Sequence, residues 1–152
     1  MRLKNFIIQF HFQKQAAFKN KTLLKHFIAA KLEKAGKKSA GINYVFCSDE
    51  ELLEINKTHL NHDFYTDIIT FDLSEKKSGF LLSDIYISID RIRDNAKTLK
   101  IPVNTELHRV IFHGVLHLIG YKDKTEKDEK LMRKMEENWL AEYNYSLVHE
   151  NS

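Results

Sequence analysis

Ile111-Phe112-His113-Gly114-Val115-Leu116-His117-Leu118-Ile119-Gly120-Tyr121-Lys122-Asp123 is the stretch around which the chain is organised. His113 and His117 are four residues apart, so a helix places both imidazoles on one face, one turn apart. The flanking residues are apolar, which puts the pair in a dry wall. Two neutral imidazoles at this spacing are half of a catalytic zinc site. Gly120 stops the helix, because glycine takes the left-handed cap conformation at little cost. The chain can then turn back and bring Asp123 round as a third ligand. The competing reading is a pair of core histidines on an amphipathic helix; it leaves the coincidence of pair, glycine stop and carboxylate unaccounted for.

The spacing also matches the long zinc-binding pattern of the metzincin proteases. Those enzymes carry a glutamate directly after the first histidine as general base. Here that position is Gly114, so the metal reading stands while the peptidase reading weakens.

A chain of 152 residues reads as one domain spanning 1–152. At this size roughly two-thirds of the extended surface is buried on folding, so no staple is needed. A metal is therefore expected to be catalytic rather than structural. Cys47 is the only cysteine, which excludes an intramolecular disulfide and fits a reducing cytoplasm. No apolar run approaches the roughly 18 residues that span a membrane. Met1 to Phe12 is broken by Lys4, Gln9 and His11 and lacks a signal-peptide core. A cytoplasmic protein with no membrane partner is expected.

The net charge is +3, but it is unevenly spread. Residues 1–40 hold ten Lys or Arg and one acid, Glu33, while the other 112 residues hold 14 basic and 20 acidic residues. Such asymmetry points to a polyanionic partner, most plausibly nucleic acid, with a solvated lysine face as the plain alternative.

Leu3 to Phe12 alternates as a strand. From Asn20, Leu24, Phe27, Ile28, Leu32 and Ala35 recur at helical spacing up to Gly36. Gly41 to Cys47 is a second strand with Ile42, Tyr44 and Phe46 on one face. Ser48 and Glu51 form a capping-box pattern opening a second helix. His59 to Tyr65 reads as a loop, either a polar loop beside a cleft or, through His59, His62 and Asp63, a further ligand cluster. Thr66 to Leu73 and Leu81 to Ile89 are strands, with a turn over Ser74 to Gly79. Asp90 to Leu99 is a polar helix. After Pro102, Asn104 or Thr105 caps the histidine helix, which runs from Glu106 to Ile119. Glu106 shares the face of His113; it either orients a ligand from behind or complements the helix N-terminus. Thr125 and Asp128 signal a last helix with Leu131, Met132, Met135, Trp139 and Leu140 as its buried stripe, ending in a frayed tail over Ser146 to Ser152. The order predicts an α+β domain: a small mixed four-stranded sheet, about five helices, and the metal-binding helix buried against the sheet.

Taken together, three stretches resemble the YbeY family, metal-dependent endoribonucleases of bacterial ribosomal RNA maturation. The family signature H-G-x-L-H-L-x-G-Y-D-H is met by His113, Gly114, Leu116, His117, Leu118, Gly120 and Tyr121. An upstream Asn followed by T-D-V-L-S-F is matched by Asn56, Asp63, Thr66, Asp67, Ile68, Ile69, Thr70 and Phe71. The family's G-D-I-x-I-S is Ser83-Asp84-Ile85-Tyr86-Ile87-Ser88. Two positions depart: the third histidine is Asp123, preceded by Lys122, and an arginine four residues after the Asn is Leu60. Aspartate can ligate zinc through oxygen at about 2.0–2.2 Å.

The resemblance implies one Zn2+ per chain, held by His113, His117 and Asp123, with metal-bound water as nucleophile and no protein base. It implies hydrolysis of single-stranded RNA, with ribosomal RNA as substrate and the small ribosomal subunit as partner. Candidate substrate contacts are His59 and His62 near the missing arginine, and Lys21, Lys25 and Lys31 on the basic helix. The alternatives are another zinc metallohydrolase, such as a metzincin-like peptidase, and a non-catalytic RNA- or ribosome-binding factor with a bound metal.

Overall fold

Nine elements follow one another in the expected order. They are β1 (Phe6–Phe12), α1 (Lys21–Lys34), β2 (Ser39–Cys47), α2 (Asp49–Leu60), β3 (Ile68–Asp72), β4 (Phe80–Ser88), α3 (Ile89–Leu99), α4 (Val103–Leu118) and α5 (Glu126–Glu150). This is a computed structural model describing residues 5–16, 18–75 and 79–150. Leu3 and Lys4 of the predicted first strand, Lys76 and Lys77 of the predicted turn, and the last two residues lie outside those described.

The sheet order is β1-β2-β4-β3. β1, β2 and β4 are parallel and β3 is antiparallel to β4, so the expected α+β fold with a mixed four-stranded sheet and five helices is found. Alternation decides which face is buried. Ile42, Tyr44 and Phe46 of β2 and Ile85 and Ile87 of β4 point to one side and are fully or nearly fully buried. Leu24, Ile28 and Leu32 of α1, Val110, Ile111, Phe112, Val115 and Leu116 of α4, and Trp139 and Tyr143 of α5 close over them. Each such side chain contributes roughly 1.5–3 kcal/mol on leaving water. On the opposite face α2 covers a smaller cluster, Cys47, Leu52 and Ile69. Among the described residues no helix is long and apolar enough to cross a membrane.

α4 lies directly on the sheet. A Cβ at Gly114 would stand 3.1 Å from the Cδ1 atoms of both Ile68 and Ile85, and the Tyr44 hydroxyl donates to the Ile111 carbonyl at 3.1 Å. The helix starts one turn earlier than its pattern suggested, and neither Asn104 nor Thr105 caps it. Pro102 does so, its carbonyl accepting from the N–H groups of Thr105 and Glu106. Gly120 takes φ +113 as the helix stops.

Three other boundaries differ from expectation. α2 runs on to Leu60, so His59 is helical rather than in a loop; Asn61, at φ 57, makes the stop. Ser88 is buried and belongs to a cap, accepting from Arg91 N–H and donating to Asp49. α5 continues through Ser146 to Glu150, where a frayed tail was expected. The capping boxes at Ser48–Glu51 and Thr125–Asp128 are both present.

Candidate active site

A cleft of about 330 Å³ opens where α4 passes the β3 edge of the sheet. Thr66, Asp67, Ile68 and Thr70 form one wall, Arg109, Val110, His113 and His117 the other, and Asp123 closes the end. The three residues selected from the sequence as ligands therefore line one cleft. Helical spacing puts His113 and His117 on the same side of α4, and the turn after Gly120 returns Asp123 to that side. Nε2 of His113 is 3.4 Å from Oδ2 of Asp123. The expected dry wall is only half present: His113 is partly buried, while His117, in the last turn of α4, is exposed, as is Asp123.

Behind His113 stands a residue that the sequence reading passed over. Glu136 of α5 is 2 % exposed, and its Oε2 accepts from His113 Nδ1 at 2.7 Å. An ionised carboxylate can only accept, so in the neutral ring the proton sits on Nδ1 and the Nε2 lone pair faces the cleft. Glu136 is anchored in turn by Arg109, whose Nη1 donates to Oε1 at 3.1 Å. Arg109 also grips the fully buried Glu106 through Nε at 2.8 Å and Nη2 at 2.7 Å. Asp67 lies 3.8 Å from the same guanidinium. Glu106 thus does not touch His113; it acts on Arg109.

The electrostatics follow from that network. Burial works to raise the Glu136 pKa, but the His113 hydrogen bond and the Arg109 charge outweigh it, and the net shift is downward. At His113, burial pulls the pKa down, yet Glu136, with Asp123 and Asp67 behind it, carries it above the ordinary value. Asp67 goes the other way from Glu136: its burial dominates over Arg109, and its pKa is raised. Three carboxylates, Asp67, Glu106 and Glu136, face the one Arg109, and Asp123 stands beyond them at His113.

That surplus of negative charge, the bare Nε2 and the two-imidazole, one-carboxylate donor set fit a divalent cation of the zinc type. As placed, the side chains line the cleft without converging: among the described residues no three His, Cys, Asp or Glu groups stand at ligand spacing. Gly114, where a protease would carry its base, faces Ile68 and Ile85; a glutamate there would be driven into the core.

The other candidates lie elsewhere. The His59 ring sits edge-on to Phe71 at 6.0 Å, and His62 stacks on Phe64 at 5.1 Å; neither lines the cleft. Leu60 ends α2 with 40 % exposure. Lys21 and Lys25 cover the Phe12 and Phe10 rings at the β1 edge, three strand spacings or about 14 Å across the sheet from β3. Lys31 is engaged by Glu142. A second opening beside His113 and Asp123 is lined by Glu129, Arg133 and Glu136. Arg133 is exposed and carries no ion pair or hydrogen bond among the described residues.

A histidine-bearing helix laid across a mixed sheet, with a carboxylate-rich cleft at the sheet's edge, makes this an α+β protein with a candidate site beside β3. A family model described as Endoribonuclease YbeY matches residues 7–144, and the chain belongs to that family, whose members are hydrolases acting on RNA. It is 58% identical to an Endoribonuclease YbeY of Cytophaga hutchinsonii over 100 residues, 66% of this chain and 69% of that protein. With the one from Flavobacterium psychrophilum identity is 43% over 134 residues, 88% of this chain and 94% of the relative. The solution structure of TM1509 from Thermotoga maritima is similar with a TM-score of 0.59 at 27% identity, covering 96% of this chain and 93% of that one.

Proposed function

We propose that residues 1–152 form a single metal-dependent endoribonuclease domain that cleaves single-stranded RNA, with His113, His117 and Asp123 as ligands of one divalent ion, zinc by donor chemistry. The observation that carries this reading is the Glu136–His113 hydrogen bond, which turns Nε2 toward Asp123. When bound, the ion would acidify a water and polarise a phosphoryl oxygen. The protein's part is positional and electrostatic. Glu136 holds the proton on Nδ1 and fixes the ring. Arg109 bonds Glu106 and Glu136 together and, with His113, holds the Glu136 carboxyl below its ordinary pKa. Asp67, raised by burial, is suited to exchange a proton with the attacking water or the 2′-hydroxyl. Arg133, unpaired at the rim, takes the place of the family arginine lost at Leu60 and meets the phosphate. Family membership supports ribosomal RNA, in the setting of the small ribosomal subunit, as the substrate.

The test compares metal-replete and chelated protein on single-stranded and duplex RNA. Cleavage confined to metal-replete protein and unpaired RNA is expected, with His113→Ala inactive. Equal cleavage after chelation, or by His113→Ala, would overturn the reading.

A further inference from the structure

β1 is an edge of the sheet, and among the described residues no strand pairs with its outer side. The Asn5 carbonyl accepts from Ala40 N–H, and Gln13 N–H donates to the Phe46 carbonyl. Alternate residues of a strand point their backbone groups to opposite sides, so Ile7, Gln9 and His11 address β2 while Phe6, Ile8, Phe10 and Phe12 turn N–H and C=O outward. Among the described residues none of these outward groups has a partner. Parallel to them, Thr22, Lys25, His26 and Ala29 line one face of α1, at helical spacing. Together with Phe6 to Gln9 they bound a groove of about 510 Å³.

The groove has three properties of a strand acceptor. Its floor is an unpaired hydrogen-bonding ladder. Its walls offer an apolar contact at Ile7, 58 % exposed, and the exposed side chains of Thr22 and His26 on α1. Its rim is cationic: Lys25 leans over Phe10 and Lys21 over Phe12, and among the described residues no carboxylate lines it. Exposed edges are often blunted by lysine, but here the two ammonium groups lie over aromatic side chains and leave the outward backbone groups clear.

We propose that the β1 edge is a docking site for an extended acidic segment of a partner protein, which adds to the sheet as a fifth strand. The backbone of Phe6, Ile8 and Phe10 supplies the hydrogen bonds; alternate side chains of the partner meet Thr22 and His26 on one face and Ile7 on the other, and its carboxylates meet Lys21 and Lys25. Nucleic acid fits less well, because a sugar–phosphate backbone cannot match a two-residue N–H and C=O repeat. The site is independent of the cleft, which lies at the opposite edge.

The test uses full-length protein and a capped peptide of alternating valine and glutamate, about eight residues long, the length of an ordinary strand. Amide exchange and NMR shifts are followed residue by residue. The expected result is slower exchange at Phe6, Ile8, Phe10 and Phe12, with no effect from a valine–lysine peptide. Lys21→Glu with Lys25→Glu, both on the surface and checked for folding by circular dichroism, should weaken the valine–glutamate peptide roughly tenfold and admit the valine–lysine one. Absence of protection by the peptide overturns the proposal. So does protection of the same amides by a single-stranded RNA alone, which would make the groove a nucleic-acid site. Concentration-dependent self-association that protects them without peptide would make it an interface between copies and also overturn it.

Discussion

His113 Nδ1, on α4, donates to Glu136 Oε2, on α5, across 2.7 Å, and Glu136 is almost completely buried. The bond joins two helices whose contributing residues lie far apart in sequence. It also settles which imidazole nitrogen is free to face the cleft.

Glu136→Gln keeps the shape but cannot accept with a full charge. It should lower zinc affinity by about tenfold or more, the scale of losses behind metal ligands. Competition with a chromophoric chelator measures it. Unchanged affinity would mean that His113 needs no such orientation.

Asp123→Ala should likewise weaken zinc binding at least about tenfold, whereas Asp123→His should retain it. Asp128→Ala should leave the metal alone and cost about 1 kcal/mol through loss of the Thr125–Asp128 cap. A site emptied by the Asp128 change and not by the Asp123 change would refute the ligand assignment.

Arg133→Ala should reduce RNA cleavage by about tenfold or more without lowering metal content, if the rim arginine meets phosphate. Single-turnover assays with bound metal quantified in parallel decide it. Leu60→Arg in that background should restore part of the loss.

Gly114 permits the close approach of α4 to the sheet. Gly114→Ala gains helix propensity but presses on Ile68 and Ile85, and a net loss of about 1 kcal/mol is expected. Gly114→Glu buries an unpaired charge and should cost more than about 4 kcal/mol. Urea titrations give both values.

His108 packs between Phe18, Phe112 and Tyr143, and burial pushes its pKa down to about 4. Below the ordinary histidine value of about 6.5 the unfolded chain takes up a proton that the folded one refuses. Stability should therefore fall as pH drops from about 6.5 to about 4, by up to about 3 kcal/mol. His113, shifted upward, has the opposite sign and acts at higher pH, where its stabilisation is lost as pH rises through the folded value. His108→Phe should flatten the acid slope in denaturant titrations across that window.

The sequence carried much of this arrangement in its periodicities. The alternation in β2 and β4, the Ser48 and Thr125 caps, and the four-residue histidine spacing with Gly120 behind it are local signals, and the structure has each of them. What escaped was set by tertiary contact. Pro102 caps α4 because the chain enters there, overriding the side-chain preferences of Asn104 and Thr105. His59 is helical because α2 extends until Asn61 can turn left-handed. The positions of Lys21 and Lys25 at the far edge follow from strand order, which no local pattern encodes. Glu136 did leave a trace. Met132, Glu136, Trp139 and Tyr143 fall on one helical stripe, and a charged residue within an apolar stripe needs a buried partner. Arg109, between Glu106 and His113 on α4, was that partner.

The order of these residues along the chain has a consequence for synthesis. A nascent chain is made from its N-terminus and can begin to fold before it is complete. His113 and His117 are made before α5, and until α5 docks nothing holds the Nδ1 proton in place. Arg109 would meanwhile have only Glu106 and Asp67 as its carboxylates. The His113 ring would then lack the Glu136 bond that orients it. On the proposed ligand assignment, the site is therefore complete only once α5 has been made and has docked.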